Sequence, residues 1–295
     1  MVRSIVTGAA GFIGSHVCDY LLEQGHEVIG IDNQSANNEK FHWNRKVKAS
    51  LSDICDYETI RPLFEGVDYV FHLAAESRLQ PAIENPIEAV TKNCVGTTTI
   101  LQCAREAGVR RVVYSSTSSG YGNNPVPNVE TQPDDSLNPY SASKVAAEKF
   151  CSMYHSLYGL ETVVLRYFNV FGERSPTRGQ YAPVIGIFER QRDAGEPLTI
   201  VGDGSQSRDF VYVKDVARAN YLAAMMPLQG HIGEVFNVGT GKTYSVQTIA
   251  DSISDNQTYI PKRPGEMETT YADIHKISKV IGWKPEVDVI EWITK

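Results

Sequence analysis

The chain has 295 residues, 42% of them hydrophobic and 21% charged, which is ordinary for a globular protein and enough for one large domain or two joined ones. Its net charge of −7 and pI near 5.6 exclude a chain-wide affinity for nucleic acid, so any phosphate-bearing ligand must be held by local groups. No uninterrupted apolar run reaches about 18 residues and no leader pattern is seen, so neither a membrane span nor a signal peptide is expected, and a cytoplasmic protein is.

In chain order, Ser4-Ile5-Val6-Thr7 is a short β-rich run, followed by Gly8-Ala9-Ala10-Gly11-Phe12-Ile13-Gly14 and a helical pattern from Ser15 to Gln24. Strand, glycine turn and helix are the order of a nucleotide-binding unit. Gly8 suits the tight turn, Gly11 the close approach of pyrophosphate, and Gly14 the packing of helix on sheet, while the helix N-terminus offers free N–H groups to phosphate. The second strand, Glu27 to Ile31, ends in Asp32, where a carboxylate can accept both ribose hydroxyls and repel a 2′-phosphate, favouring NAD over NADP. Such an Asp is also a common turn residue.

A third strand is expected at about Val47 to Leu51, a fourth at Tyr69 to Leu73, then an amphipathic stretch from Pro86 to Ala107 and a strand from Val112 to Ser115. A helix from Tyr140 to about Tyr158, stopped by Gly159, precedes the strand Thr162 to Tyr167. Alternation of this kind predicts an α/β fold with a doubly wound parallel sheet of Rossmann type and helices on both faces. Past Gly172 the alternation is lost, with a helix near Pro183 to Ala194 and short strands at Leu198 to Val201 and Phe210 to Tyr212, as expected for a smaller mixed α/β substrate lobe. Residues 1–171 are therefore assigned to the NAD-binding domain and 172–295 mainly to the lobe. The chain is expected to return to the sheet at about 209–240, with a strand at Glu234 to Val238.

Tyr140 and Lys144 lie four residues apart at a helix start and so share a face. A cation beside a phenol lowers the phenol pKa, giving a candidate general acid/base, although Tyr and Lys are also common on solvated helix faces. Thr117 closes a strand, where it could end the strand or hydrogen-bond a reacting oxygen. The five cysteines, Cys18, Cys55, Cys94, Cys103 and Cys151, are odd in number and widely spaced, and the seven histidines form no pair at ligand spacing, so neither disulfide nor metal is expected.

Thr7 to Gly14 as TGAAGFIG, His72 to Ala75 as HLAA, Ser115 to Gly122 as SSTSSGYG, Tyr140 to Lys144 as YSASK, and Arg166 to Gly172 as RYFNVFG resemble the extended short-chain dehydrogenase/reductase family. With Asp203 to Val213 and Arg263-Pro264-Gly265-Glu266 the match spans nearly the whole chain, and within the family it is most similar to the UDP-hexose 4-epimerases. The resemblance implies that Tyr140, Lys144 and Thr117 are catalytic. It implies that Gly8, Gly11, Phe12, Ile13, Gly14, Asp32, Asn33, Asp53, Ile54, Leu73, Ala74, Ala75, Asn93 and Tyr167 join Tyr140 and Lys144 in holding NAD. Asn169, Arg208, Arg263, Glu266 and Thr270, with Thr117 and Tyr140, would hold a UDP-sugar. Plain core packing for Ile54 or Leu73, and surface positions for the arginines, are the readings without the resemblance.

The implied reaction inverts C4 of UDP-glucose and UDP-galactose through a 4-keto intermediate. Thr270, at the place where a bulky Tyr accompanies restriction to plain hexoses, implies that UDP-GlcNAc and UDP-GalNAc are accepted too. The alternatives are a 4,6-dehydratase, a uronate decarboxylase or 4-epimerase, or a silent NAD-binding scaffold. Ser118 and Ser119 stand where the first two carry carboxylates, and the scaffold would have lost Tyr140, Lys144 or Thr117, so the epimerase is favoured. Gly120 where Val is usual and Arg78 where a small polar residue is common depart from the family pattern. The family also implies a homodimer formed through the helices around 86–107 and 140–158. No nucleic acid or membrane partner is expected.

Overall fold

The computed structural model describes residues 1–36, 40–177, 183–262 and 267–295. Seven strands form one parallel sheet: β1 (Arg3–Thr7), β2 (Glu27–Ile31), β3 (Lys48–Ser50), β4 (Tyr69–His72), β5 (Arg111–Thr117), β6 (Glu161–Tyr167) and β7 (Val235–Val238). Their order is β7-β6-β5-β4-β1-β2-β3, so the direction of winding reverses at β1, between β4 and β2. Side chains alternate between the faces. Val6, Phe71, Val113 and Leu165 pack under helices α1 (Phe12–Glu23), α4 (Val213–Met225) and α5 (His275–Ile281). Ile5, Val70, Val112 and Val164 pack under α2 (Gly96–Glu106) and α3 (Pro139–Tyr158) on the other side. Crossing helices on both faces make the strands continuous apolar runs, which is why they were legible as strands.

The lobe has its own core, with Phe171, Phe188, Phe210, Ile249 and Val289 packed together. Its strands pair in twos: Leu198–Val201 with Gln257–Ile260, Asn169–Phe171 with Phe210–Tyr212, and Ser207–Arg208 with Tyr244–Ser245. After β7 the chain crosses back once more than the sequence reading has it. Helix α5 covers β7, and Ile277, Ile281 and Trp283 join the sheet core, where the Trp283 indole donates to the Asp215 carbonyl at 2.9 Å. An edge strand carrying buried Phe236 and Val238 needs that cover.

The stretch predicted as one amphipathic segment from Pro86 is interrupted. Helix Pro86–Val90 passes through a π turn, Thr91–Val95, before α2. Asn93 sits in that turn, and the bonds it makes to other elements explain the break.

Candidate active site

At the end of β1 the chain turns at Gly8 with φ +68°, a conformation that glycine adopts without strain. A Cβ on Gly14 would lie 1.9 Å from the Gly8 carbonyl oxygen, so α1 can seat on the turn only with glycine there. A Cβ on Gly11 would lie 3.3 Å from the same oxygen. The protein itself nearly tolerates that atom, so what Gly11 leaves free is space toward the cavity. Gly11 is also the N-cap of α1 and no side chain caps that end, which leaves its first N–H groups for an anionic ligand.

The Thr7 hydroxyl accepts from the N–H groups of Leu73 and Ala74, both at 3.1 Å. Its own proton is thus directed to His72 Nδ1 at 2.7 Å, and His72 Nε2–H donates to Thr97 at 2.9 Å. Burial depresses His72 to about 3, so it stays neutral and serves as a fixed link that holds the segment after β4 against the end of β1.

A cavity of about 360 Å³ runs along the carboxyl ends of the strands, across the point where the winding reverses. Gly8, Gly11, Phe12, Ile13, Gly14, Leu73, Ala74 and Ala75 line its middle. Asp32, Asn33, Asp53 and Ile54 line the part beside β2 and β3, and Thr117, Tyr140, Lys144 and Tyr167 the part beside β5 and β6. Asp32 accepts from Ala10 N at 3.0 Å and Gln34 N at 2.7 Å, and Asp53 accepts from Asn33 Nδ2 at 3.0 Å. The cradle of glycines, the uncapped helix end and the carboxylate at the end of β2 together fit a dinucleotide.

Asn93 is not on the wall. It is buried, donates to the Glu76 carbonyl and to Ser143 Oγ, and accepts from Glu76 N, so it joins the cavity segment at residue 76 to the catalytic helix. That helix, α3, opens with Asn138 accepting from Ser141 N at 2.9 Å in a capping box, with Pro139 next, which places Tyr140 in the first turn.

The sequence reading has Lys144 lowering the Tyr140 phenol. In the structure burial raises it instead, with the hydrogen bond from Thr117 opposing and the charge of Glu76 adding. Lys144 Nζ lies 4.4 Å over the ring of Tyr114, and burial depresses Lys144 to about 8. Thr117 Oγ1 already accepts from Ser119 N at 3.1 Å, so its proton is free to be donated toward Tyr140 or a substrate oxygen.

A second cavity, of about 260 Å³, has Ser119, Asn138, Asn169 and Arg208 on its wall, two residues from Thr117 and Tyr140 in the case of the first two. Asn169 Nδ2 donates to the Asp209 carbonyl at 3.1 Å and to Thr270 Oγ1 at 3.0 Å. Both its amide protons are therefore spent, and what Asn169 can offer a ligand is Oδ1, an acceptor suited to a hydroxyl or N–H and not to phosphate. Thr270 is 1% exposed and lines neither cavity, because its hydroxyl is occupied by Asn169 and by Asp209 N. It thus stands behind Asn169, where the family resemblance had placed it against the sugar. Arg263 and Glu266 lie outside the described residues. The wall also carries Glu76, which the sequence reading missed, and Arg78, which it noted only as a departure. Their signal was their place just after HLAA.

Among the described residues no group of three His, Cys, Asp or Glu could hold a metal ion, and no helix is long and apolar enough to cross a membrane. The cysteines are free thiols.

A doubly wound sheet with a glycine cradle at its reversal point, and beside it a half-buried Tyr140 with a buried Lys144, defines a nucleotide-cofactor enzyme of the Tyr-x-x-x-Lys type. The chain belongs to the NAD dependent epimerase/dehydratase family, whose model matches residues 4–239. It is 37% identical over 312 residues to the UDP-glucose 4-epimerase of Mycolicibacterium smegmatis, covering 100% of this chain and 97% of that one. Among solved structures it is similar to the UDP-glucose 4-epimerase of Thermotoga maritima with UDP-glucose, at a TM-score of 0.93 and 34% identity over 99% of this chain and 96% of that one. It is also similar to the UDP-glucose 4-epimerase of Thermus thermophilus in complex with NAD, at a TM-score of 0.90 and 33% identity over 99% of this chain and 97% of that one.

Proposed function

We propose that the chain is an NAD-dependent 4-epimerase of UDP-hexoses. The observation that carries this is that Tyr140, Lys144 and Thr117 line one cavity wall, with serines at 118 and 119 and no carboxylate at the end of β5. One phenol serves removal and return of a single hydroxyl proton. Elimination of water or loss of CO₂ calls for a further acid or base there.

NAD, when bound, would supply the acceptor and donor of the C4 hydride, and its oxidised form would carry a positive charge that favours the Tyr140 phenolate. Tyr140 takes the proton of the 4-hydroxyl, and Thr117 donates a hydrogen bond to the same oxygen as it becomes a ketone. Lys144, buried on the same helix face, orients the cofactor ribose. Gly11, Gly14 and the N-terminus of α1 hold the pyrophosphate, and Asp32 the adenosine ribose. Arg208 and Asn169 anchor the substrate in the second cavity, with Arg263 and Glu266 assigned there by family resemblance. Anchoring through the nucleotide lets the hexose turn and present its other face.

The test is incubation of the purified protein with UDP-glucose, UDP-GlcNAc and UDP-glucuronate, without added NAD. A C4 epimer of unchanged mass supports the reading. Loss of water or CO₂ would assign one of the other family chemistries, and no product with any of the three would refute it.

We also propose a cytoplasmic homodimer. Ile87, Val90, Val95, Met153, Leu157 and Tyr158 are exposed on the helices on the α2–α3 side, with Ile87 79% and Leu157 64% exposed. Sedimentation velocity should return twice the chain mass, and Leu157→Glu should return the monomer.

A further inference from the structure

Glu148 is 4% exposed on α3, one helical turn beyond Lys144 and two beyond Tyr140. Its Oε1 accepts from Ser116 Oγ at 2.5 Å and from Arg166 Nε at 2.8 Å, and its Oε2 from Arg166 Nη2 at 2.6 Å. Ser116 immediately precedes Thr117 on β5, and Arg166 immediately precedes Tyr167 on β6. Ser116 thus lines the cavity itself beside Thr117, and Arg166 is one residue from Tyr167 on its wall.

Arg166 is fixed in turn. Its Nη2 donates to Asp134 at 2.7 Å, and its guanidinium lies 4.6 Å over the ring of Tyr121, whose hydroxyl donates to Asn237 at 2.6 Å. At Gly120 a Cβ would come within 2.7 Å of Val145 on α3, so the chain after β5 and the catalytic helix approach as closely as a glycine allows. That contact accounts for the glycine where the family usually has valine. A buried ion pair is a poor source of stability, because apolar residues of similar volume often do as well, so a positional reason for it is sought.

We propose that Glu148 is a positioning residue for the C4 chemistry, tying the strand that carries Thr117 to the helix that carries Tyr140 and Lys144 and keeping Lys144 charged. The role in turnover rests on the epimerase reading. The groups facing Lys144 are Glu148 and Cys151 from its own helix, Cys94 from the π turn, and Tyr114 and His72 from the sheet. Burial pushes both thiols up and His72 down, so these three are neutral at pH 7, and Glu148 is the one carboxyl side chain of the set. Its carboxylate is the charge that opposes the burial of the ammonium.

Ser116→Ala removes the strand link and leaves the ion pair, while Glu148→Gln removes the charge with little change of shape. Turnover of the UDP-hexose that the wild type uses is measured from about pH 6.5 to about pH 10, and Lys144 is titrated in the same proteins by NMR with ¹³C-labelled lysine. Ser116→Ala is expected to lower kcat about threefold to tenfold with KM within about twofold and the Lys144 titration unmoved. Glu148→Gln is expected to lower kcat about thirtyfold or more and to move the Lys144 titration down by at least about half a pH unit. Wild-type kcat in Ser116→Ala, or an unmoved Lys144 in Glu148→Gln, would overturn the proposal. If Glu148→Gln does not fold, Ser116→Ala decides it alone. An inactive wild type would sink the epimerase reading, and the Lys144 titration would still judge the role of Glu148.

Discussion

Two alanine substitutions three residues apart in the same glycine motif should do different things. In Gly14→Ala the new Cβ would sit 1.9 Å from the Gly8 oxygen and 2.8 Å from the Gly8 carbonyl carbon. A carbon–oxygen contact needs about 3.3 Å, so the start of α1 must move away from β1 by roughly 1.4 Å. Overpacking commonly costs about 1–3 kcal/mol, and here the obstacle is backbone that cannot rotate aside, so a loss of about 3 kcal/mol or more is expected. In Gly11→Ala the Cβ meets that oxygen at 3.3 Å and φ is −76°, open to alanine. Its stability should fall by no more than about 1 kcal/mol, the cost of a poorer N-cap. Because residue 11 lines the cavity, NAD affinity should still fall by roughly tenfold or more. Urea denaturation of the apo-protein and isothermal titration with NAD separate the two effects. Equal losses of stability, or a Gly11→Ala variant with wild-type NAD affinity, would refute this division of labour.

Tyr140→Phe should lower turnover by about a hundredfold or more with NAD still bound, since only the proton acceptor is deleted; near-normal turnover would remove Tyr140 from the mechanism. Asp32→Ala should weaken NAD binding and narrow the preference over NADP, checked by titrating both cofactors. Lys144→Met should abolish most turnover yet raise stability at pH 7. Lys144 titrates at about 8 in the fold against an ordinary 10.5, so below about pH 8 the folded state carries a buried ammonium, and wild-type stability rises as pH climbs from 8 to 10.5. The advantage of methionine, on the order of 1–3 kcal/mol, should therefore vanish by about pH 10.5, followed by denaturant midpoints across that range. Thr270→Tyr should impair plain and acetylated UDP-hexoses alike, because it displaces Asn169; selective loss of the acetylated sugars, read from kcat/KM, would restore the size-gate reading.

The sheet was legible because short continuous apolar runs alternating with helical stretches leave few alternatives, and β2 falls at Glu27–Ile31 as read. Elements whose shape depends on distant partners were not. The π turn exists because Asn93 bonds to residue 76 and to Ser143, which lie 17 and 50 positions away. Thr270 shows the same limit at one residue. The family resemblance located it near the substrate, but which way a side chain points depends on what it meets, and here it meets Asn169 and Asp209. Glu148 falls four places after Lys144 and eight after Tyr140, so its helix face could be read from sequence; that it is buried against Arg166 could not.

The features that break local rules sit together. A lysine is buried on α3, an asparagine occupies a helix interior, a carboxylate and a guanidinium are enclosed beside the catalytic strand, and glycines fill a helix start. Each is unfavourable alone, and each lines the cavity at the reversal point of the sheet or is joined by hydrogen bonds to a residue that does. A phenol that must exchange a proton away from water needs its partners placed beforehand, since a dry site offers no solvent to reorganise around a misplaced charge. Groups that place Lys144, Tyr140 and Thr117 must then also be dry, and dry polar groups persist only when paired. The Glu148–Arg166 pair and the Asn93 bridge follow from that condition, and the apolar remainder of the sheet supplies the stability that offsets them.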